Sequence, residues 1–214
     1  LAEELASTLT DAGYETQQVP TPATVDAGWL ASKETGDTVA AIAVGGDGTM
    51  RMVAAELAGG DVPVYHAACG TENLFATSMG LSPDPARVLA AIEAGNVQRI
   101  DTASAGGAFM LLMCSVGIDA AIVADLDARR GASITHWTYA MPIARQLLQF
   151  RHPTLSVIVD GEQIVDGCRG WVVVANSPAY ARGLNPARDA SLTDGLLDVL
   201  FLPVGGLLQS LAWV

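Results

Sequence analysis

Lysine is all but missing from this chain: of eleven basic residues ten are arginine, and Lys33 is the one lysine. Acidic residues number 23, so the formal net charge is −12. A nucleic-acid surface needs clustered basic side chains to displace counterions, and nothing denser than Arg129-Arg130 is present. That argues against DNA or RNA as a partner, and equally against electrostatic adhesion to anionic lipid. Cysteine is scarce as well. Cys69, Cys114 and Cys168 are odd in number and widely spaced, with no Cys-x-x-Cys pair and no nearby histidine, so they read as buried thiols rather than disulfides or a zinc site. His66, His136 and His152 are isolated and carry no assigned chemistry. No apolar run approaches the roughly 20 residues a bilayer crossing needs, and no basic-then-apolar leader opens the sequence. The expectation is a soluble, cytoplasmic protein.

What is present is apolar. Half of the 214 residues are hydrophobic, enough to bury roughly 70% of the unfolded chain's surface in one large domain or two lobes. An acidic, lysine-poor surface suits a high-salt cytoplasm, where screening weakens repulsion among like charges.

Two grammars follow one another along the chain. Leu5 and Leu9 stand at helical spacing before Gly13, "YETQQVPT" alternates weakly like an exposed strand, and "ATVDAGWLASK" returns to a helical pattern. "VAAIAV" at 39–44 is a short apolar run bounded by glycine, as in a parallel strand buried on both faces. Met50, Val53, Ala54 and Leu57 then form the core-facing stripe of a helix over 49–58. "VPVYHA" predicts the next strand, and "SPDPARVLAAIEAGN" a helix with proline and aspartate at its start and Gly95 at its stop. From about residue 97 strand-like segments dominate: "VQRIDTASA", "AFMLLMCSVG", "TLSVIVDGEQI", "GWVVVANSPAY" and "LLDVLFLP", with a helical interruption near "THWTYAMPIARQLLQF". The pattern predicts an α/β lobe over 1–96 and a β-rich lobe over 97–214. Phe109 to Met113 reads as buried strand; Trp137, Tyr139, Met141, Leu147 and Leu148 read either as helix packing or as an apolar lip.

The chemistry concentrates in "GGDGT", Gly45 to Thr49. Between a parallel strand and a helix these glycines lie at the carboxyl end of the strand, where α/β sheets bind ligands. The amides of Gly48, Thr49 and Met50 are expected to point outward at the positive end of the helix dipole, a place for an anion. No Gly-Lys-Ser/Thr follows, so this is not a P-loop. Asp47 beside a phosphate is repelled by about 1 kcal/mol at about 4 Å in water, and more in a cleft. It needs a compensating partner: a Mg²⁺ ion, or a hydroxyl whose proton it takes during attack on phosphorus. A plain tight turn remains the alternative.

In the context of its neighbours the motif resembles the GGDGT signature of diacylglycerol kinase catalytic domains, related lipid and sphingoid kinases, and NAD kinases. "ACGTENLFATSMGL" at 68–81 is similar to the Gly-Thr-x-Asn-x-Phe-Ala block of the bacterial-type lipid kinases, where NAD kinases differ. "CSVGIDAAIV" at 114–123, "DGE" at 160–162, "VVVANSPAYARGL" at 172–184 and "ARDASLTDGLLDVLFL" at 187–202 continue the match in order. The resemblance implies an α/β nucleotide-binding lobe with a parallel sheet, a C-terminal β-sandwich lobe, and an active cleft between them. It implies ATP and Mg²⁺ as cofactors, Gly45, Gly46, Gly48 and Thr49 around the phosphates, and Thr71 and Asn73 on the nucleotide, with Gly70 and Glu72 in the same block. Asp47 would be catalytic, as metal orienter or base toward a lipid hydroxyl. Asp194, with Asp189 nearby, would form an ion-binding loop or else a plain Asp-Gly turn. Asp101 and Asp119 also match family positions, Asp119 as a loop acid held by backbone amides.

Departures from the family pattern set further expectations. The chain begins after the family's first strand and its Asn-Pro-x-Gly turn, and ends before a late acidic motif. Glu72 stands where many members have glycine, Leu74 where many have aspartate, and Arg182 precedes Gly183. The expected partner is a lipid substrate met at the inner membrane face. Edge strands of the second lobe could pair two copies as a homo-oligomer. The alternatives are an NAD kinase-like or soluble-alcohol kinase, or a non-catalytic nucleotide-binding domain. For an enzyme, Asp47→Ala is expected to abolish turnover with little change in melting temperature.

Overall fold

The computed structural model describes residues 1–22, 28–30, 36–127, 152–180 and 185–204. Its contacts divide the chain into two compact units, Leu1–Leu111 and Leu112–Val214. The change in sequence grammar near residue 97 thus precedes the division, because the hairpin of β3 (Ala103–Ala105) and β4 (Ala108–Met110) stays with the first unit.

The first unit is built on a parallel pair, β1 (Ala41–Gly45) and β2 (Val64–Ala68), in register from Ala41 opposite Val64 to Gly45 opposite Ala68. Because side chains alternate along a strand, the pair has two distinct faces. On one, Ile42, Val44, Tyr65 and Ala67 pack with Leu5 of α1 (Ala2–Asp11) and Val88 of α4 (Pro85–Ala94). Leu5 is 2% exposed and Val88 is 0% exposed, so each contributes on the order of 1.5–3 kcal/mol of burial. The other face carries Ala43, Gly45 and His66 under α2 (Asp47–Leu57) and α3 (Leu74–Ser78), whose buried side chains are Met50, Val53, Leu57 and Phe75. Helix α4 has the termini its sequence announces: the Asp84 side chain accepts the Arg87 N–H, and Gly95 closes the helix in the left-handed region (φ 63°).

The second unit is antiparallel among the described residues. After β5 (Met113–Val116) and α5 (Ile118–Asp127), β6 (Thr154–Val159) turns at Asp160-Gly161 (φ 51° and 85°) into β7 (Glu162–Ala175), the hairpin turn that Asp-Gly favours. β7 is long enough to pair β6 with its first half and both β5 and β8 (Asp198–Pro203) with its second. Val173, Ala175, Ala187, Ala190 and Leu202 make the core, with Trp171, Tyr180 and Leu200 against it.

Several expectations need correction. "YETQQVPT" forms no strand; its polar residues find no sheet edge. The run from Phe109 to Met113 is largely buried, as expected, but Leu111 and Leu112 interrupt it between β4 and β5. "VQRIDTASA" contributes only the short β3. Asp119 lies in α5 rather than in a loop. The thiols are free but not buried: Cys69 and Cys168 are exposed and Cys114 is half-buried. Most of "ATVDAGWLASK", the helical pattern at 135–150 with its aromatic residues, and Arg182 lie outside the described residues. No helix among the described residues is long and apolar enough to cross a membrane.

Candidate functional site

The carboxyl ends of β1 and β2 run into two glycine turns that lie side by side. The Cys69 N–H donates to the Gly45 carbonyl at 2.9 Å, extending the parallel ladder into the second turn. A Cβ on Gly70 would stand 2.6 Å from the Cα of Gly46, and one on Gly45 would stand 2.4 Å from Thr49 Oγ1. Neither glycine has a positive φ in this fold; what requires them is the close approach of the atoms around them, backbone at Gly70 and the Thr49 side chain at Gly45. Gly48 differs, because a Cβ there would meet nothing within 4 Å.

Helix α2 starts earlier than its apolar stripe suggests, with Gly46 as N-cap in extended conformation. The Met50 N–H therefore donates to Gly46 O at 3.1 Å and is not a free donor, contrary to the expectation. The first-turn amides without a carbonyl four residues back are those of Asp47, Gly48 and Thr49. Thr49 is half-buried on the same turn.

Asp47 has a partner that the sequence did not suggest. Its Oδ2 accepts the Leu74 N–H and its Oδ1 accepts the Phe75 N–H, both at 2.9 Å. It thus serves as the cap of α3, whose own N-cap residue, Asn73, makes no capping bond. The expectation that only a cation or an acidic proton could balance this carboxylate is incomplete: two amide dipoles at a helix start supply part of the balance. Each carboxylate oxygen retains acceptor capacity beyond these bonds.

Asn73 holds the second turn closed. It sits in the left-handed region (φ 52°); its Oδ1 accepts the Gly70 N–H at 2.9 Å while its Nδ2 donates to Gly70 O at 3.0 Å. Its side chain is thus turned onto its own loop, leaving Gly70 and Thr71 exposed and Glu72 half-buried.

His66 is the residue that sequence reading passed over. It is 0% exposed, its Nε2 lies 3.0 Å from Gly45 O, and its ring is 6.0 Å from that of Phe75. The available signal was its place inside an apolar strand just before the second glycine motif.

In the second unit Asp189 and Asp194 share the connection between β7 and β8, with exposed carboxylates. Asp194 Oδ1 accepts the Leu196 N–H at 3.0 Å, the bond of an Asx turn. Among the described residues no group of three or more His, Cys, Asp or Glu side chains is arranged to hold a metal ion. Burial pushes the Cys114 thiol above its usual range, and burial followed by the Arg169 charge pulls the His152 imidazole below its own.

Comparison with known proteins agrees with both units. Residues 1–105 match the diacylglycerol kinase catalytic domain family, and residues 113–208 match the YegS C-terminal NAD kinase beta sandwich-like domain. An uncharacterized protein of Synechocystis sp. is 27% identical over 158 residues, which is 74% of this chain and 36% of that protein. The crystal structure of a diacylglycerol kinase from Bacillus anthracis str. Sterne superposes with a TM-score of 0.59 at 22% identity, over 80% of this chain and 59% of that one. This chain therefore spans about a third of the one relative's length and under two thirds of the other's.

Proposed function

This chain belongs to the diacylglycerol kinase and NAD kinase-like superfamily, and from that premise we propose that it transfers the γ-phosphoryl group of ATP to the hydroxyl of diacylglycerol or a related apolar-tailed lipid. The observation that carries this reading is the packing of Gly70 onto Gly46, which sets two turns edge to edge at the carboxyl end of a parallel pair.

The amide donors of the first turn of α2 suit a phosphate, and the open space over Gly48 is where a side chain would block one. In this reading Gly45, Gly46, Gly48 and Thr49 hold the phosphates, and Gly70, Thr71, Glu72 and Asn73 form the second wall. The lipid hydroxyl oxygen bonds to the γ-phosphorus as the bridging P–O bond breaks, and ADP leaves. Asp47, tied to α3, holds its remaining acceptor capacity toward the reaction, either orienting a metal or receiving the hydroxyl proton. Asp189 and Asp194 are the carboxylates that would hold Mg²⁺. When bound, Mg²⁺ neutralises charge developing on the phosphate oxygens. The lipid would be met at a membrane surface.

The test is a phosphate-transfer assay with γ-labelled ATP and Mg²⁺. Label should enter detergent-dispersed diacylglycerol and not NAD. Label in NAD instead would replace this reading with that of a soluble-acceptor kinase, and ATP binding without transfer to either would make the chain a nucleotide-binding domain.

A further inference from the structure

We propose that His66 is a positioning residue of the phosphate cradle, acting through the Gly45-Gly46 peptide. The inference rests on the reading above, that this cradle holds ATP.

The Gly45 carbonyl sits where strand β1 becomes the first glycine turn, and it accepts twice: from the Cys69 N–H at 2.9 Å and from His66 Nε2 at 3.0 Å. A carbonyl has no proton to give, so Nε2 carries the hydrogen. Nδ1 is buried and has no hydrogen-bond partner among the described residues, which leaves Nε2 as the ring nitrogen that makes a bond. A peptide unit is planar and trans, so its C=O and N–H point in opposite directions. Anchoring the Gly45 oxygen inward, against His66 and the second turn, therefore turns the Gly46 N–H outward. That N–H leads directly into the first-turn amides of Asp47, Gly48 and Thr49, which lie ahead of the helix's first i to i−4 bond.

The ring also touches the other side of the cradle. Phe75, tilted 43° to the imidazole, is the residue whose N–H donates to Asp47 Oδ1. His66 beneath and Asp47 above thus join the same two turns, one through a carbonyl and the other through amides. An apolar side chain at position 66 would fill the space but release one of the two bonds on Gly45 O. The Cys69 N–H would keep that oxygen satisfied, so the loss falls on the direction of the peptide more than on global stability.

Substitutions separate the bond from the packing. Glutamine carries its amide nitrogen where His Nε2 stands, asparagine where Nδ1 stands, and leucine offers neither. Binding of ATP should weaken about tenfold in His66→Leu and His66→Asn, the effect of about one hydrogen bond, and return to within about threefold of wild type in His66→Gln. Equal binding by all four proteins would overturn the proposal, as would equal loss in all three variants, which would mark the ring as packing alone. The tautomer is read separately, without nucleotide, from the imidazole nitrogen resonances of the wild-type protein. A proton on Nδ1 overturns the proposal even if the variants fail to fold. Failure of wild type to bind ATP, with Nε2 protonated, rejects the cradle's function and with it a role for His66 in nucleotide binding, while leaving the hydrogen bond itself intact.

Discussion

The carboxylate of Asp47 caps a helix it does not belong to: its Oδ1 accepts the Phe75 N–H at 2.9 Å across 28 residues of sequence. With the second bond, from Leu74, Asp47 becomes the tie between the two glycine turns. A residue that reads as catalytic in the sequence thus also carries structure, and experiments on it must separate the two.

Replacing Asp47 by alanine should lower folding stability by about 1–2 kcal/mol, the usual value of a lost helix cap. This reverses the sequence-based expectation of an unchanged melt. The Asp47→Asn variant keeps one acceptor oxygen and should recover about half of that stability. If Asp47 acts in transfer, Asp47→Asn should still lose activity about 10²-fold or more. Denaturation and transfer assays on both variants check this; an Asp47→Ala protein as stable as wild type would remove the capping argument.

Gly70 and Gly48 should respond in opposite senses. At Gly70 an alanine must push the backbone of Gly46, so Gly70→Ala is expected to cost about 1–3 kcal/mol and to weaken ATP binding. Within helix α2, Gly48→Ala meets nothing and should hold or raise stability by up to about 1 kcal/mol. Its ATP binding should nevertheless fall, because the methyl enters the space assigned to phosphate. A Gly48→Ala protein that binds ATP normally would move the phosphates elsewhere.

Asn73 combines a left-handed backbone with a two-way clamp on Gly70. Asn73→Gly retains the backbone conformation and loses only the clamp, whereas Asn73→Ala loses both. The alanine variant should therefore be less stable than the glycine variant by about 1 kcal/mol, within the range for strained positive φ. Urea titrations of the pair give the difference directly.

Stability should also depend on pH through His152, which stacks with Trp171 at 6.0 Å. Burial, and then the Arg169 charge, lower its affinity for a proton in the folded state. The folded state resists charging, so this stabilisation is present above the ordinary imidazole range and is lost as pH falls through it toward the lowered folded value. Unfolding midpoints should decline from about pH 7 to about pH 5, and His152→Gln should flatten that part of the curve. Arg169→Gln should flatten it less, since burial is the larger cause. An unchanged slope in His152→Gln would assign the decline to other groups.

Much of the first unit was legible because its signals are local. Leu5 and Leu9, the stripe from Met50 to Leu57, and the Asp84 and Gly95 caps each lie within one or two helical turns, where period and capping chemistry speak for themselves. The Asp160-Gly161 turn was not legible: "TLSVIVDGEQI" reads as one strand, and the structure breaks it at those two residues into β6 and β7. Short strands were also less legible: Leu111 and Leu112 continue the apolar run between β4 and β5, and hydrophobicity alone does not mark where one strand stops. Cys69 and Cys168 misled because a thiol is buried or exposed by its place in the fold, just past β2 for the one and on an exposed stretch of β7 for the other, not by its own polarity.

The sequence by itself determined the order of α/β and β-rich units, both glycine motifs and the residues gathered around them. Only the tertiary structure decided what Asp47 and His66 hold, because those bonds join segments 27 and 21 residues apart. Periodicity reports which side of an element is apolar. It does not report which amide or carbonyl, delivered by another turn, arrives within about 3 Å of a given side chain; that depends on how the two strands pair and bring their ends together.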